Sequence, residues 1–162
     1  MSAKPFWRYL KTEAGSSEMS VDGSSTPVEF VYTAALPTVV ERLNFMARDN
    51  GIAQPSGFFS LAALPKGLWI VHRAPDGAVL ENFGTGDRPL MTTAAFGSLA
   101  GVDIESDTAQ GQSCFNIRWT LARAGAPLGM SPGTSLVVTV RDDLSDLIEF
   151  SAMAQGLHHV RL

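Results

Sequence analysis

Three histidines and a single cysteine are the side chains best suited to proton transfer or nucleophilic attack. His72 lies between two apolar runs, His158 and His159 stand side by side, and Cys114 belongs to an apolar-leaning segment. Nucleophilic catalysis needs a base beside a Ser, Cys or Thr, and histidine is the usual base. His72 is therefore the candidate base of a small hydrolase, whereas the apolar setting of Cys114 favours a buried, inert thiol.

The motifs that assemble catalytic or phosphate-binding sites are missing from the sequence. There is no Gly-x-Ser-x-Gly nucleophile elbow and no glycine-rich loop followed by Lys-Ser or Lys-Thr. Gly84-Thr85-Gly86 lacks the strand-to-helix context of a dinucleotide-binding loop. A cupin-like metal site requires several converging histidines with a carboxylate. We therefore expect a protein without enzymatic activity, catalytic residues or a cofactor.

One acidic segment is a candidate cation site. Asp103, Glu105 and Asp107 alternate, so an extended backbone puts the three carboxylates on one side, where they could bind Ca²⁺. The EF-hand pattern and its glycine are absent, however. The preferred interpretation is a strand edge kept polar against pairing with other strands.

A second acidic group falls at a turn. Asp142, Asp143 and Asp146 lie between two apolar runs, and aspartate side chains accept hydrogen bonds from free backbone N–H groups. We expect these residues to cap a tight turn or a single helical turn rather than to bind a metal.

The tryptophans raise the question of sugar stacking. Trp69 and Trp119 stand in the middle of apolar-alternating runs, which favours packing in a core over a carbohydrate platform. An aromatic N-terminal segment differs from both, because Phe6, Trp7, Arg8 and Tyr9 are the residue types that anchor protein interfaces. These four are the candidate interaction residues. The segment is either an arm that docks on a neighbouring subunit, within residues 1–20, or an ordinary first strand.

Composition limits the classes of function. The chain has 162 residues, of which 45% are hydrophobic and 17% charged, and this predicts one folded domain over 1–162. So few charges favour an assembled subunit. A net charge of −4 with scattered basic residues argues against nucleic-acid binding. No apolar run approaches membrane-spanning length and no signal peptide is evident, so we expect synthesis in a cytoplasm and no membrane association.

Short apolar segments between glycines and prolines predict an all-β fold, an antiparallel sandwich with at most one short helix or helical turn. The clearest signal is a hairpin over 67–83, whose turn contains Pro75 and the pair Asp76-Gly77. Gly97 to Ser113 is the longest irregular segment, and a mobile or contact loop is expected there. The other predicted strands are Phe6–Lys11, Val28–Tyr32, Cys114–Leu121, Leu136–Val140 and Ile148–Ala154.

Residues 39–48 are ambiguous. Thr38 to Glu41 has the spacing of a capping box, and an apolar stripe with helical period follows it. Leu43, Phe45 and Ala47 also alternate as in a strand. Periodicity alone slightly favours the helix.

Several short segments, in order and spanning nearly the whole chain, resemble a family of small virion structural proteins of tailed bacteriophages. None of them is catalytic. The segments are Val21-Asp22-Gly23-Ser24 with Val28-Glu29-Phe30, Arg42-Leu43-Asn44-Phe45 with Asp49-Asn50-Gly51, Leu64-Pro65-Lys66-Gly67, Val102-Asp103-Ile104, Ile117-Arg118-Trp119-Thr120-Leu121 with Ala124-Gly125, and Asp142-Asp143-Leu144-Ser145 with Gln155-Gly156.

The resemblance implies a β-sandwich, jelly-roll-like, in which Arg42 to Arg48 is a strand, and we adopt the strand. It also implies a subunit of the virion that decorates the capsid or belongs to the tail or head–tail region. Its partners would be copies of itself and other virion proteins such as the major capsid or tail proteins. Within such a sandwich, Arg42 and Arg118 project from apolar strands, and we expect them to pair with carboxylates such as Asp103 or Asp143.

Two other functions stay open on the sequence. A carbohydrate- or receptor-binding sandwich would carry at least two exposed aromatic side chains on one face or rim. A hydrolase would depend on His72. The sequence does not choose between a position on the capsid surface and one in the tail.

Overall fold

A computed structural model describes residues 2–49, 66–83, 102–109, 112–121 and 126–160. For Glu18, Met19, residues 102–109, Gln112, Ser113, Phe115 and Val160 it describes the backbone only. These residues form thirteen strands. The strands are β1 (Ser2–Tyr9), β2 (Glu18–Met19), β3 (Val21–Asp22), β4 (Val28–Thr33), β5 (Thr38–Asp49), β6 (Leu68–Arg73), β7 (Val79–Asn82), β8 (Val102–Ala109), β9 (Gln112–Thr120), β10 (Leu128–Met130), β11 (Ser135–Val140), β12 (Asp143–Leu144) and β13 (Glu149–Val160).

The strands build two main antiparallel sheets. Sheet A has the order β1-β13-β5-β9-β8, with β10 added to β5 and β2 added to β13. Sheet B has the order β4-β11-β6-β7, and a short ladder joins β12 to β3. The prediction of an all-β antiparallel sandwich is confirmed.

The core lies between the two sheets. Phe30 of sheet B meets Phe150 of sheet A with ring centroids 5.6 Å apart, and both side chains are fully buried. Alternation explains the packing, since Leu68, Ile70 and His72 of β6 are buried while every second residue of the strand is half-exposed. Each sheet therefore buries one face, as aligned sandwiches do.

Residues 39–48 are part of strand β5, so the helix favoured by periodicity is wrong. Leu43, Phe45 and Ala47 are buried in the core, and the side chains between them point to the outer face of sheet A. The apolar residues have a helical spacing because β5 contains a bulge. Gln155 of β13 pairs with Arg42, whereas the next residue, Gly156, pairs with Val40. One inserted residue shifts the period of two and imitates a helical spacing.

The predicted hairpin is confirmed. Strands β6 and β7 pair, and Gly77 occupies the left-handed region at φ +90°. The turn is closed by a hydrogen bond of 2.8 Å from the Ala74 N–H to the Ala78 carbonyl, and Asp76 accepts from the Ala78 N–H. Glycine is favoured here because residues with a Cβ rarely adopt a left-handed φ.

The expectation of an irregular loop from 97 to 113 is wrong over most of that segment. Residues 102–109 form β8 and the following strand already begins at Gln112; residues 97–101 and 110–111 lie outside the described ranges. Polar residues mislead here, because β8 is the outermost strand of sheet A and an edge strand tolerates charge.

The acidic turn before β13 has two different roles. Asp143 caps its own turn as expected, since its carboxylate accepts from the Ser145 N–H at 2.9 Å and from the Ser145 hydroxyl at 2.6 Å. Asp142 is buried and binds a distant segment instead, accepting from the backbone N–H of Gly67 at 2.9 Å. Asp142 therefore fixes the start of β6 rather than its own turn.

Candidate interaction face

The aromatic N-terminal segment is the first strand of its own sheet. Strand β1 pairs with β13 from Ser2 opposite Val160 to Tyr9 opposite Met153. Phe6, one of the four candidate interaction residues, is only 6% exposed and stacks on Tyr32 and on His158, so within this chain it is a core residue. The alternation of the strand buries Phe6 and leaves its neighbour outside.

Trp7 and Tyr9 lie on the side of sheet A that faces away from sheet B. Trp7 is 58% exposed, Tyr9 is half-buried, and their rings meet edge to face at 6.2 Å. We call this outer surface the Trp7 face. Its described side chains come from β1, β13, β5 and β9 and include Trp7, Tyr9, Arg42, Asn44, Met46, Asn116, Arg118, Thr120, Ser151, Met153 and Gln155.

A shallow cavity of about 260 Å³ opens at the centre of the Trp7 face. Polarizable and aromatic side chains form part of its wall, and amide, hydroxyl and guanidinium groups form the rest. Beside it, the Asn44 amide donates to the Gln155 side-chain oxygen at 3.0 Å. The lining residues are Tyr9, Asn44, Phe45, Met46, Asn116, Arg118, Ser151 and Met153.

The free edge of β1 is poorly suited to pairing with another strand. The Leu10 N–H donates to the Ala152 carbonyl of β13. Backbone N–H and C=O groups alternate in direction along a strand, so those of the odd-numbered residues Pro5 and Trp7 point to the free edge. Proline has no N–H to offer there. The Arg8 guanidinium donates to the Trp7 carbonyl at 2.9 Å and occupies that acceptor as well. Contacts at this strand must therefore use its side chains.

The arginines of the Trp7 face have different environments. Arg42 is exposed and its Nε donates to the Thr120 hydroxyl at 3.3 Å, while Asp143, one of its expected partners, is engaged with Ser145. Arg118 stands in register with Asp103 of the neighbouring strand, as the expected pairing requires.

A third arginine of this face is neutralised. The Arg48 guanidinium lies 2.7 Å from a carboxylate oxygen of Glu149, directly opposite on β13. The Glu149 side chain is 10% exposed and that of Arg48 is 42% exposed. The pair covers the end of the face that is farthest from Trp7.

The outer face of sheet B, in contrast, is covered by its own side chains. Glu29 of β4 and Arg73 of β6 form a two-pronged ion pair. Strand β11 lies between β4 and β6, and its register places Val137 beneath this ion pair. Val137 is accordingly only 1% exposed.

Trp69 is half-buried on this outer face, and the guanidinium carbon of Arg141 lies 4.8 Å from the centroid of its ring. The expectation that Trp69 packs in the core is therefore wrong. Trp119 does lie in the core, as predicted.

His72 has a structural role in this fold. It is 5% exposed, and its Nε2 lies 2.9 Å from the Thr134 hydroxyl oxygen. That hydroxyl donates its single proton to the Ser131 carbonyl at 2.8 Å, so Nε2 must be the donor to Thr134. A nitrogen that holds a proton in this bond cannot also take one from a nucleophile.

The remaining candidates for chemistry are not brought together. Cys114 is half-buried rather than buried, with the Asn116 amide 3.6 Å from its sulfur. Asp103, Glu105 and Asp107 lie on the edge strand β8, and their side chains lie outside the described atoms. Among the residues that the structure describes, no three His, Cys, Asp or Glu side chains are grouped to hold a metal ion. Within the same ranges, no helix has the length and apolar character to cross a membrane.

Comparison of the chain with known protein families, with curated proteins and with solved structures finds no match. Sequence reasoning identified Trp7 and Tyr9 of this face, whereas Arg8, the residue between them, alternates to the other side of β1. It missed the residues of β5 and β13 that lie beside Trp7 and Tyr9, such as Asn44 and Met153. Strand alternation places these two outward, but only the pairing of β13 with both β1 and β5 makes them neighbours of Tyr9.

Proposed function

We propose that this chain is a non-enzymatic structural subunit of a tailed-bacteriophage virion that acts through protein–protein contacts at the Trp7 face. The observation that carries the proposal is the 58% exposure of Trp7 on an open sheet face beside a cavity. A large aromatic side chain left in water loses the free energy that burial would supply. A partner that covers Trp7 recovers it.

The composition of the Trp7 face supports a protein partner. Interfaces are enriched in aromatic residues, methionine and arginine and depleted in lysine and glutamate. The face carries Trp7, Tyr9, Met46, Met153 and Arg42, and no lysine is among its described side chains. Trp, Tyr and Arg also dominate the residues at which truncation costs most binding energy.

The assignment to a virion rests on the sequence resemblance. Such a subunit either decorates the capsid or belongs to the tail or head–tail region, and its partners are copies of itself and neighbouring virion proteins. Symmetric assemblies use one surface many times, so a single exposed face suffices to place many copies.

A carbohydrate- or receptor-binding module is the second candidate. Trp7 and Tyr9 share one face, which is the arrangement that such a module needs to stack on a sugar ring. Titration with oligosaccharides, measured by calorimetry on the wild type and on Trp7→Ser, separates this function from the first.

Mass spectrometry of purified virions tests the proposal. We expect the chain in the particle, with hundreds of copies if it decorates the capsid and about a dozen or fewer if it belongs to the tail or connector. Trp7→Ser should reduce incorporation, while Val79→Ser is a matched control because Val79 is also 58% exposed but lies on β7 of the other sheet. Absence of the chain from particles would overturn the proposal.

A further inference from the structure

We infer that the partner presents an acidic, partly apolar segment to the Trp7 face, with a carboxylate paired to Arg42 and an apolar side chain in the cavity beside Tyr9. The inference rests on the proposed function and names the chemistry of the partner. It follows from the exposed charge of Arg42, from the lining of the cavity, and from the blocked edge of β1 and the covered outer face of sheet B.

Arg42 places on the Trp7 face a charge that is opposite in sign to the net charge of the chain. The protein has a net charge of −4, yet Arg42 is exposed in the row of the sheet that contains Trp7 and Gln155. No carboxylate among the described side chains lies within ion-pair distance of Arg42, whose Nε bonds to the Thr120 hydroxyl. The terminal nitrogens of Arg42 are thus available for the two-pronged contact that a guanidinium makes with a carboxylate.

The cavity fits one large apolar side chain. Tyr9, Met46 and Met153 supply apolar surface around it, and unbranched methionines adapt their shape to what they contact. Ser151, 3% exposed, adds a hydroxyl to the lining. A single buried anchor surrounded by polar groups is the usual form of an interface centre.

The cavity and Arg42 are close enough for one short segment to reach both. Asn44 lines the cavity and lies two residues from Arg42 on the same face of β5, which is about 7 Å along an extended strand. Alternate residues of an extended partner have the same spacing. A carboxylate two residues from an apolar anchor therefore matches the two sites.

The neighbouring surfaces favour a segment that lies across the face. Strand addition at β1 is disfavoured because Pro5 offers no N–H and Arg8 already occupies the Trp7 carbonyl. The other broad face is closed over Val137 by the Glu29–Arg73 pair. Of these described surfaces, the Trp7 face is the one that presents an exposed tryptophan and the free terminal nitrogens of an arginine to a partner.

The test is selection of a random displayed peptide library on the immobilised full chain. Enriched sequences are then synthesised as free peptides, and their binding is measured by isothermal titration calorimetry. We expect enrichment of Asp or Glu two residues from a large apolar residue, and at least about tenfold weaker binding to Arg42→Glu. Lys4→Glu is the matched control, because Lys4 is exposed on β1 but does not share the face of Trp7. Equal melting temperatures of the variants show that the fold is kept.

The inference is overturned by enriched peptides without acidic residues, by binding that does not change in Arg42→Glu, or by an absence of enrichment. It is equally overturned if a second copy of the chain covers the face in solution, or if oligosaccharides bind there and peptides do not. Normal incorporation of Arg42→Glu into virions, with loss of incorporation for Trp7→Ser, would leave the proposed function standing and reject the acidic partner.

Discussion

The imidazole of His158 stacks on the ring of Phe6 with centroids 4.2 Å apart, and this contact joins β13 to the edge strand β1. The hydroxyl of Thr38 donates to the Leu36 carbonyl and therefore accepts from His158 Nδ1 at 3.1 Å. Burial, with a smaller effect from the charge of Arg8, lowers the pKa of His158 below its usual 6.5. The neutral imidazole is thus the form that the folded protein prefers.

The lowered pKa of His158 should make the free energy of unfolding decrease on acidification. Above about pH 6.5 the imidazole is neutral in both states, and below it the unfolded chain takes up the proton first, so the free energy of unfolding decreases until folded His158 is protonated too. Urea unfolding of the wild type and of His158→Asn, measured from about pH 7.5 to about pH 5.5, isolates this contribution. The difference between the two proteins should shrink as the pH falls, and a constant difference would contradict the assignment.

The Glu29–Arg73 pair should contribute modestly to stability and only above acidic pH. Hydrogen bonding from Arg73, opposed by burial, holds the pKa of Glu29 below its usual 4.5, so the contribution is present above that pH and is lost as the pH falls through the lowered pKa. Both side chains are partly exposed, at 29% for Arg73 and 41% for Glu29, which limits the coupling to about 0.5–1 kcal/mol. A double-mutant cycle with Glu29→Gln and Arg73→Met, repeated near pH 7 and in strong acid, measures it. Coupling that persists in acid would show that packing over Val137, and not charge, is responsible.

Gly156→Ala should be strongly destabilising. A Cβ at Gly156 would lie 1.9 Å from the Val39 carbonyl oxygen, at the bulge of β5, so the backbone would have to move. We expect a loss of at least about 2 kcal/mol in the free energy of unfolding. Gly129→Ala is the control on the same sheet, since a Cβ there meets nothing within 4 Å and should change stability by less than about 0.5 kcal/mol. Similar losses for both variants would refute the close approach.

Local patterns in the sequence were sufficient for the sandwich and for its hairpin. Alternation and turn chemistry act between near neighbours, so Asp76-Gly77 and the run from Leu136 to Val140 were interpretable directly. The interaction face was only half predictable. Trp7 and Tyr9 were predictable from their residue types. Met153 becomes their neighbour only because β1 pairs with β13, which is distant in sequence.

Two errors have the same physical origin. Trp69 was expected in the core because its run is apolar, yet the outer face of a central strand is also shielded, here by Arg141. Likewise, residues 102–109 were included in an expected irregular loop because they are polar, although the acidic residues among them were interpreted as a strand edge, which is where β8 lies. In both cases the neighbour across the sheet decides the environment, and that neighbour is distant in sequence.

The N-terminal segment changes sheets within two residues. The Leu10 N–H still bonds to Ala152 of sheet A, while Lys11 exchanges two backbone hydrogen bonds with Val31 of sheet B. Detachment of this one segment would uncover the backbone of β13 and of β4 together, and bare strand edges are templates for irreversible cross-β aggregation. Proteolytic loss of the first eleven residues should therefore bare both strand edges together and favour aggregation of the chain.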